Sequence, residues 1–172
     1  MNRIFYSKIL LFGEYSIILN GDALTIPYPG YSARLCIPGD KAYASNDEIV
    51  RSNKNLWSYF AFLKSTYGRE YFNEDQFEDE LLKGIYLESD IPEHYGLGSS
   101  GALVAAVYDR YFLNQEDTKK PKGLIRLKND FSKMESYFHG RSSGIDPLSC
   151  TWVFHYIFMT YRMLMKLNWN LH

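Results

Sequence analysis

The run Pro92-Glu93-His94-Tyr95-Gly96-Leu97-Gly98-Ser99-Ser100-Gly101 passes directly into the apolar Ala102-Leu103-Val104-Ala105-Ala106-Val107. A glycine-rich loop that opens into a helix turns free backbone N–H groups and the positive end of the helix dipole toward the loop, and that combination suits phosphate. Two carboxylates further along invite attention. At 100° per residue, Glu135 falls almost in line with Leu124 at the edge of an apolar helical stripe, so it is expected to be partly buried and to need a partner. Asp146 is the one acid in the turn-rich stretch Arg141-Ser142-Ser143-Gly144-Ile145-Asp146-Pro147.

These groups need elements to carry them. Residues 4–12 read as a buried strand that ends in a turn at Gly13-Glu14, and two further short strands are expected over 23–26 and 31–37, separated by Pro27 and Pro29-Gly30. Leu56, Tyr59, Phe60, Leu63 and Tyr67 recur at helical spacing, and an acidic helix over 74–83 leads to a strand at Ile85-Tyr86-Leu87. A buried helix is expected over 100–113, a polar loop over 114–122, and an amphipathic helix through Leu124, Leu127, Phe131, Met134 and Phe138, closed by Gly140. There is no internal repeat.

Bulk composition narrows the classes. At 172 residues, 46% hydrophobic and 23% charged, the chain has material for one globular domain and lacks the signature of disorder. With 19 Lys and Arg against 20 Asp and Glu, the net charge of -1 offers no general attraction to nucleic acid or to an anionic membrane, so an anion must be held locally. No stretch is long enough to span a bilayer. Glu14 interrupts the short apolar run that might imitate a signal peptide, and two cysteines, Cys36 and Cys150, are too few for a disulfide scaffold, so a cytoplasmic location is expected.

Three phosphate motifs compete for the loop. A Walker-type loop requires Lys and Ser or Thr after its last glycine, where this chain has Ala102 and Leu103. Gly96-x-Gly98-x-x-Gly101 matches the dinucleotide fingerprint in form, but Glu116 and Asp117 lie in a polar loop rather than at the end of a following strand. The strand, catalytic-loop and metal motifs of protein kinases are missing. What remains is Pro-x-x-x-Gly-Leu-Gly-Ser-Ser.

Here the chain resembles the GHMP kinases, the family of galactokinase, homoserine, mevalonate and phosphomevalonate kinases. Ser7-Lys8-Ile9-Leu10-Leu11-Phe12-Gly13-Glu14-Tyr15 is similar to the family's N-terminal motif, and Glu135-Ser136-Tyr137-Phe138-His139-Gly140-Arg141-Ser142-Ser143-Gly144-Ile145-Asp146 resembles the mevalonate kinase form of a later one. The resemblance implies that Gly96, Leu97, Gly98, Ser99, Ser100 and Gly101 wrap the ATP phosphates and that Ser100 and Glu135 hold Mg²⁺. It implies further that Asp146 is the base facing the substrate hydroxyl, with Lys8 beside it and Glu14 and Ser143 near the substrate. Those residue types suit the work: magnesium takes a few hard oxygen ligands plus phosphate, and phosphoryl transfer asks chiefly for positioning and charge neutralisation. Plainer readings stand beside these roles. Lys8 could face solvent from a strand, Glu135 could be a helix-edge charge, Asp146 a turn or helix cap, Ser99 and Ser100 helix caps, His139 a packed or capping histidine, and Arg141 a surface charge.

The resemblance implies an α+β N-terminal lobe over residues 1–150, with a mixed sheet packed against helices and the family's C-terminal lobe missing. Residues 151–172 hold no Asp or Glu, three of the five methionines and two of the three tryptophans, so a non-native or frameshifted tail is expected there. Tyr6-Ser7 stands where the family usually has Pro-Gly, and Gly101 where it usually has alanine; the second change is expected only to loosen the helix start. The expected activity is ATP- and Mg²⁺-dependent phosphorylation of mevalonate or a similar hydroxy acid, with phosphomevalonate kinase or an inactive nucleotide-binding remnant as alternatives. Apolar surface left uncovered by a second lobe would favour a homodimer.

Overall fold

The computed structural model describes residues 3–13, 23–39, 45–117, 120–151 and 157–159. Glu14 and most of the expected tail lie outside the described residues.

The chain begins with a hairpin of β1 (Phe5–Phe12) and β2 (Ala23–Cys36). The two short strands expected over 23–37 are one strand of fourteen residues. Tyr6 faces Ser32 while Ser7 faces Tyr28, so Pro29, Gly30 and Tyr31 bulge out between them. A bulge tolerates a proline that cannot donate to the ladder, which is why turn-forming residues here bend a strand without ending it. Ser7 Oγ donates to Tyr28 O at 2.8 Å and Thr25 Oγ1 to Ile9 O at 3.2 Å, so buried hydroxyls stitch the hairpin together on one side of the bend.

Helix α1 (Asn46–Thr66) starts on a capping box in which Ser45 and Glu48 satisfy each other's backbone N–H groups, and it buries Leu56, Tyr59, Phe60 and Leu63 as the spacing predicts. Helix α2 (Glu74–Leu82), capped by Asn73, is followed by β3 (Tyr86–Ser89), which pairs with Ala33–Cys36 of β2. Every pairing among the described residues is antiparallel, so the sheet is not the mixed one expected. A single crossover helix returns a strand parallel. Here two helices separate β2 from β3, and the chain re-enters the sheet at the end where β2 left it, with Tyr86 facing Cys36.

Helix α3 (Ser99–Tyr111) is buried on most sides, α4 (Pro121–His139) begins on proline, and α5 (Ile145–Thr151) takes in Asp146, which the sequence placed in a loop. Pro147 explains the difference, since proline fits the first turn of a helix, where its missing N–H costs nothing. Helix α5 lies against α3 and β1. A strand β4 (Ile157–Met159) from the expected tail pairs with Ala23–Thr25. The core is aromatic: Phe77 stacks on Tyr111 with ring centroids 4.0 Å apart, and Phe60 and Phe72 close around Phe77. Among the described residues no helix is long and apolar enough to cross a membrane.

Candidate active site

The glycine loop leaves β3 and enters α3 through Gly98, which caps the helix at φ 83° and ψ 33°. That left-handed backbone suits glycine, and it leaves the first N–H groups of α3 without a side-chain cap. The loop is pinned to the sheet by the Lys8 N–H, which donates to Leu97 O at 3.0 Å. Behind it, the Cys150 thiol lies 3.7 Å from Gly98 O. Burial pushes that thiol well above its ordinary range, so Cys150 packs the loop and is no nucleophile.

The hairpin and α5 converge in front of the loop. Lys8 Nζ lies 2.9 Å from Asp146 Oδ1. The Lys8 side chain is 5% exposed and that of Asp146 36%, so the pair is rooted in the core and open on the carboxylate side. Lys8 therefore does not face solvent.

Glu135 is buried on α4, 3% exposed, deeper than the partial burial that its place at the edge of the apolar stripe predicts. Ser142 Oγ donates to Glu135 Oε2, and the Ser100 hydroxyl is near enough to favour the charged form of this carboxylate. Burial, reinforced by the charge of Asp146, pushes the Glu135 carboxyl up to about 7, against the opposing pull of Ser142, Lys8 and Ser100. Ser100 Oγ lies 3.1 Å from His139 Nε2. The structure thus brings Lys8, Ser100, Glu135 and Asp146 to one corner at the helix start.

Ser143 lies just before α5. Its hydroxyl accepts the Ile145 N–H at 3.3 Å and so caps the start of α5. Gly101, expected only to loosen α3, is buried where α3 meets α5, and a Cβ there would lie 2.9 Å from Asp146 C and Pro147 N. His139 and Ser142 carry contacts that the sequence did not assign to them. For His139 a signal existed, since it follows Glu135 by four residues and shares its helical face.

No group of three or more His, Cys, Asp and Glu side chains gathers among the described residues. A buried carboxylate with a neighbouring hydroxyl is nevertheless a set that suits magnesium, which keeps most of its coordination for water and phosphate. The corner opens onto a groove of about 1130 Å³ that runs from Ser100 and Gly98 past Glu88 to Arg51 and Asn55 of α1. That space is ample for a nucleotide.

The family model described as GHMP kinases N terminal domain matches residues 59–152. The match covers more than half of the chain and takes in the glycine loop, Glu135 and Asp146, and the chain belongs to the GHMP kinase family. Membership makes it a phosphotransferase domain of the kind that phosphorylates small molecules from ATP. A comparison with curated proteins gave no match.

Proposed function

We propose that this chain binds ATP with Mg²⁺ and transfers the γ-phosphoryl group to a hydroxyl of mevalonate or a closely similar hydroxy acid. The observation that carries this reading is the 2.9 Å pair of Lys8 and Asp146, set beside Glu135 and Ser100 at the mouth of the glycine loop. The mevalonate branch is supported by the run from Glu135 to Asp146, whose form resembles that branch.

The backbone N–H groups of residues 96–101 and the start of α3 hold the phosphate oxygens, while the groove toward α1 receives the nucleoside. Ser100 and Glu135 would hold the cation, which when bound neutralises charge on the phosphates. The Asp146 carboxylate accepts the proton of the substrate hydroxyl as its oxygen bonds to the γ-phosphorus and the bond from that phosphorus to the β–γ bridging oxygen breaks, releasing ADP. Lys8 orients the carboxylate and brings positive charge to the migrating group. Glu14 and Ser143 are proposed to border the substrate.

A second reading, nucleotide binding without turnover, is favoured by the open carboxylate side of the Lys8–Asp146 pair, since an open site admits water. One experiment separates the two: ADP release with mevalonate, phosphomevalonate or homoserine as acceptor, measured beside ATP binding. Mevalonate-dependent release that falls by roughly 10²–10⁴ in Asp146→Asn supports the proposed base. Binding without release for any acceptor supports the second reading, and unchanged turnover in Asp146→Asn removes Asp146 from its role.

A further inference from the structure

Ser142 lies in the connection between α4 and α5, and both its hydroxyl and its carbonyl are committed to neighbours. The hydroxyl donates to Glu135 Oε2 and accepts the Gly144 N–H at 3.1 Å. The carbonyl accepts from Ser132 Oγ, one turn before Glu135 on α4. The connection is therefore folded back onto the helix it has just left, with Ser142 anchored at the glutamate and one turn before it.

A serine hydroxyl has one proton to give, and here it goes to a carboxylate in the core. The last torsion of a glutamate is broad and two-fold, so burial alone does not orient the carboxylate plane. The contact from Ser142 does. With Oε2 engaged by Ser142, one carboxylate oxygen is committed to the connection, in a side chain whose titration also feels Asp146, Lys8 and Ser100.

We propose that Ser142 is a positioning residue for the cation and phosphate corner: through its hydrogen bond it fixes the Glu135 carboxylate in the orientation that couples metal to nucleotide. The inference rests on the reading of Glu135 and Ser100 as cation ligands. It assigns Ser142 no contact with substrate or nucleotide. Partners that orient metal-binding carboxylates commonly matter by 10–100-fold in metal affinity.

The test is the affinity of the full chain for a non-hydrolysable ATP analogue, measured by calorimetry with Mg²⁺ and again with EDTA. The ratio of the two affinities reports the coupling, whereas a merely structural loss weakens both alike. In Ser142→Ala the ratio should fall about tenfold toward one, while binding in EDTA stays unchanged. Ser142→Cys, of similar size but a weak donor, should fall alike and serves if the alanine variant does not fold. Ser142→Thr, which keeps the hydroxyl, should restore the ratio. An unchanged ratio in the folded alanine or cysteine variant overturns the proposal while leaving the cation site intact. A wild-type ratio of one overturns both.

Discussion

Gly101 and Asp146 meet backbone to backbone: a Cβ on the glycine would stand 2.9 Å from the carbonyl carbon of the aspartate and equally close to Pro147 N. The start of α3, which frames the glycine loop, and the start of α5, which carries the acid, are locked together at this contact. Lys8 closes the arrangement from β1, joining Leu97 O with its backbone and Asp146 with its side chain.

Gly101→Ala sets two effects against each other. Alanine in place of glycine favours an exposed helix interior by up to about 1 kcal/mol, but overpacking a tight contact costs about 1–3 kcal/mol. The neighbour is backbone, which yields less readily than a side chain tip, so the second effect should win. The variant should melt several degrees lower, at about 2–4 °C per kcal/mol for a chain of this size, and turnover should drop with the displacement of Asp146. A melting temperature equal to or above that of the parent would show that α5 gives way without cost.

Glu135 makes the stability of the metal-free chain depend on pH. Its carboxyl is raised by burial to about 7, from an ordinary value near 4.5 in the unfolded chain. The neutral form is therefore the one the fold prefers, its contribution is full below pH 4.5, and it is lost as pH rises through 7. The loss amounts to about 3 kcal/mol if the whole shift is realised. Urea unfolding in EDTA at pH 5 and pH 8 should show the chain weaker at pH 8, and Glu135→Gln should remove most of that difference. The same difference in both proteins would assign the effect to other groups.

Much of this site is legible in the sequence because it is carried by local signals. The glycines before an apolar helix mark the loop, and the helical phase of Glu135 places it inward. What escaped is tertiary. Pro29 and Gly30 carry turn chemistry, and only pairing on both sides shows that β2 continues through them as a bulge. Asp146 followed by proline suits a turn and a first helical turn equally well, and the packing of α5 on α3 decides between them. The need for glycine at position 101 comes from a helix that begins 44 residues later, at Ile145, and the partner of Glu135 is a serine from beyond the end of its own helix. No local window contains the first fact, and although Ser142 is only seven residues from Glu135, the helical period does not extend past Gly140 to predict the second.

Away from the site, Glu80 joins α2 to α3. It accepts from Arg110 Nε at 2.6 Å, from Arg110 Nη2 at 3.0 Å and from Tyr111 Oη at 2.7 Å, with Gln76 adding a fourth contact. Burial raises the Glu80 carboxyl, but the bonds from Arg110 and Tyr111 outweigh it and hold it below its ordinary value. The contribution is thus present above the unfolded value and disappears as pH falls through the folded one, so the pair should matter at neutral pH and little in strong acid. Truncating Arg110 leaves a mostly buried carboxylate with only a phenol and an amide to face it. Arg110→Ala should cost about 2–3 kcal/mol at pH 7, less than a fully buried pair because both side chains keep some solvent. Arg110→Lys should recover only part of this, since an ammonium cannot reproduce the two-pronged contact. Denaturant unfolding at pH 7 and pH 3 checks the account: a deficit in Arg110→Ala that is as large at pH 3 as at pH 7 would mean that lost packing of the side chain, and not its bond to Glu80, holds α2 against α3.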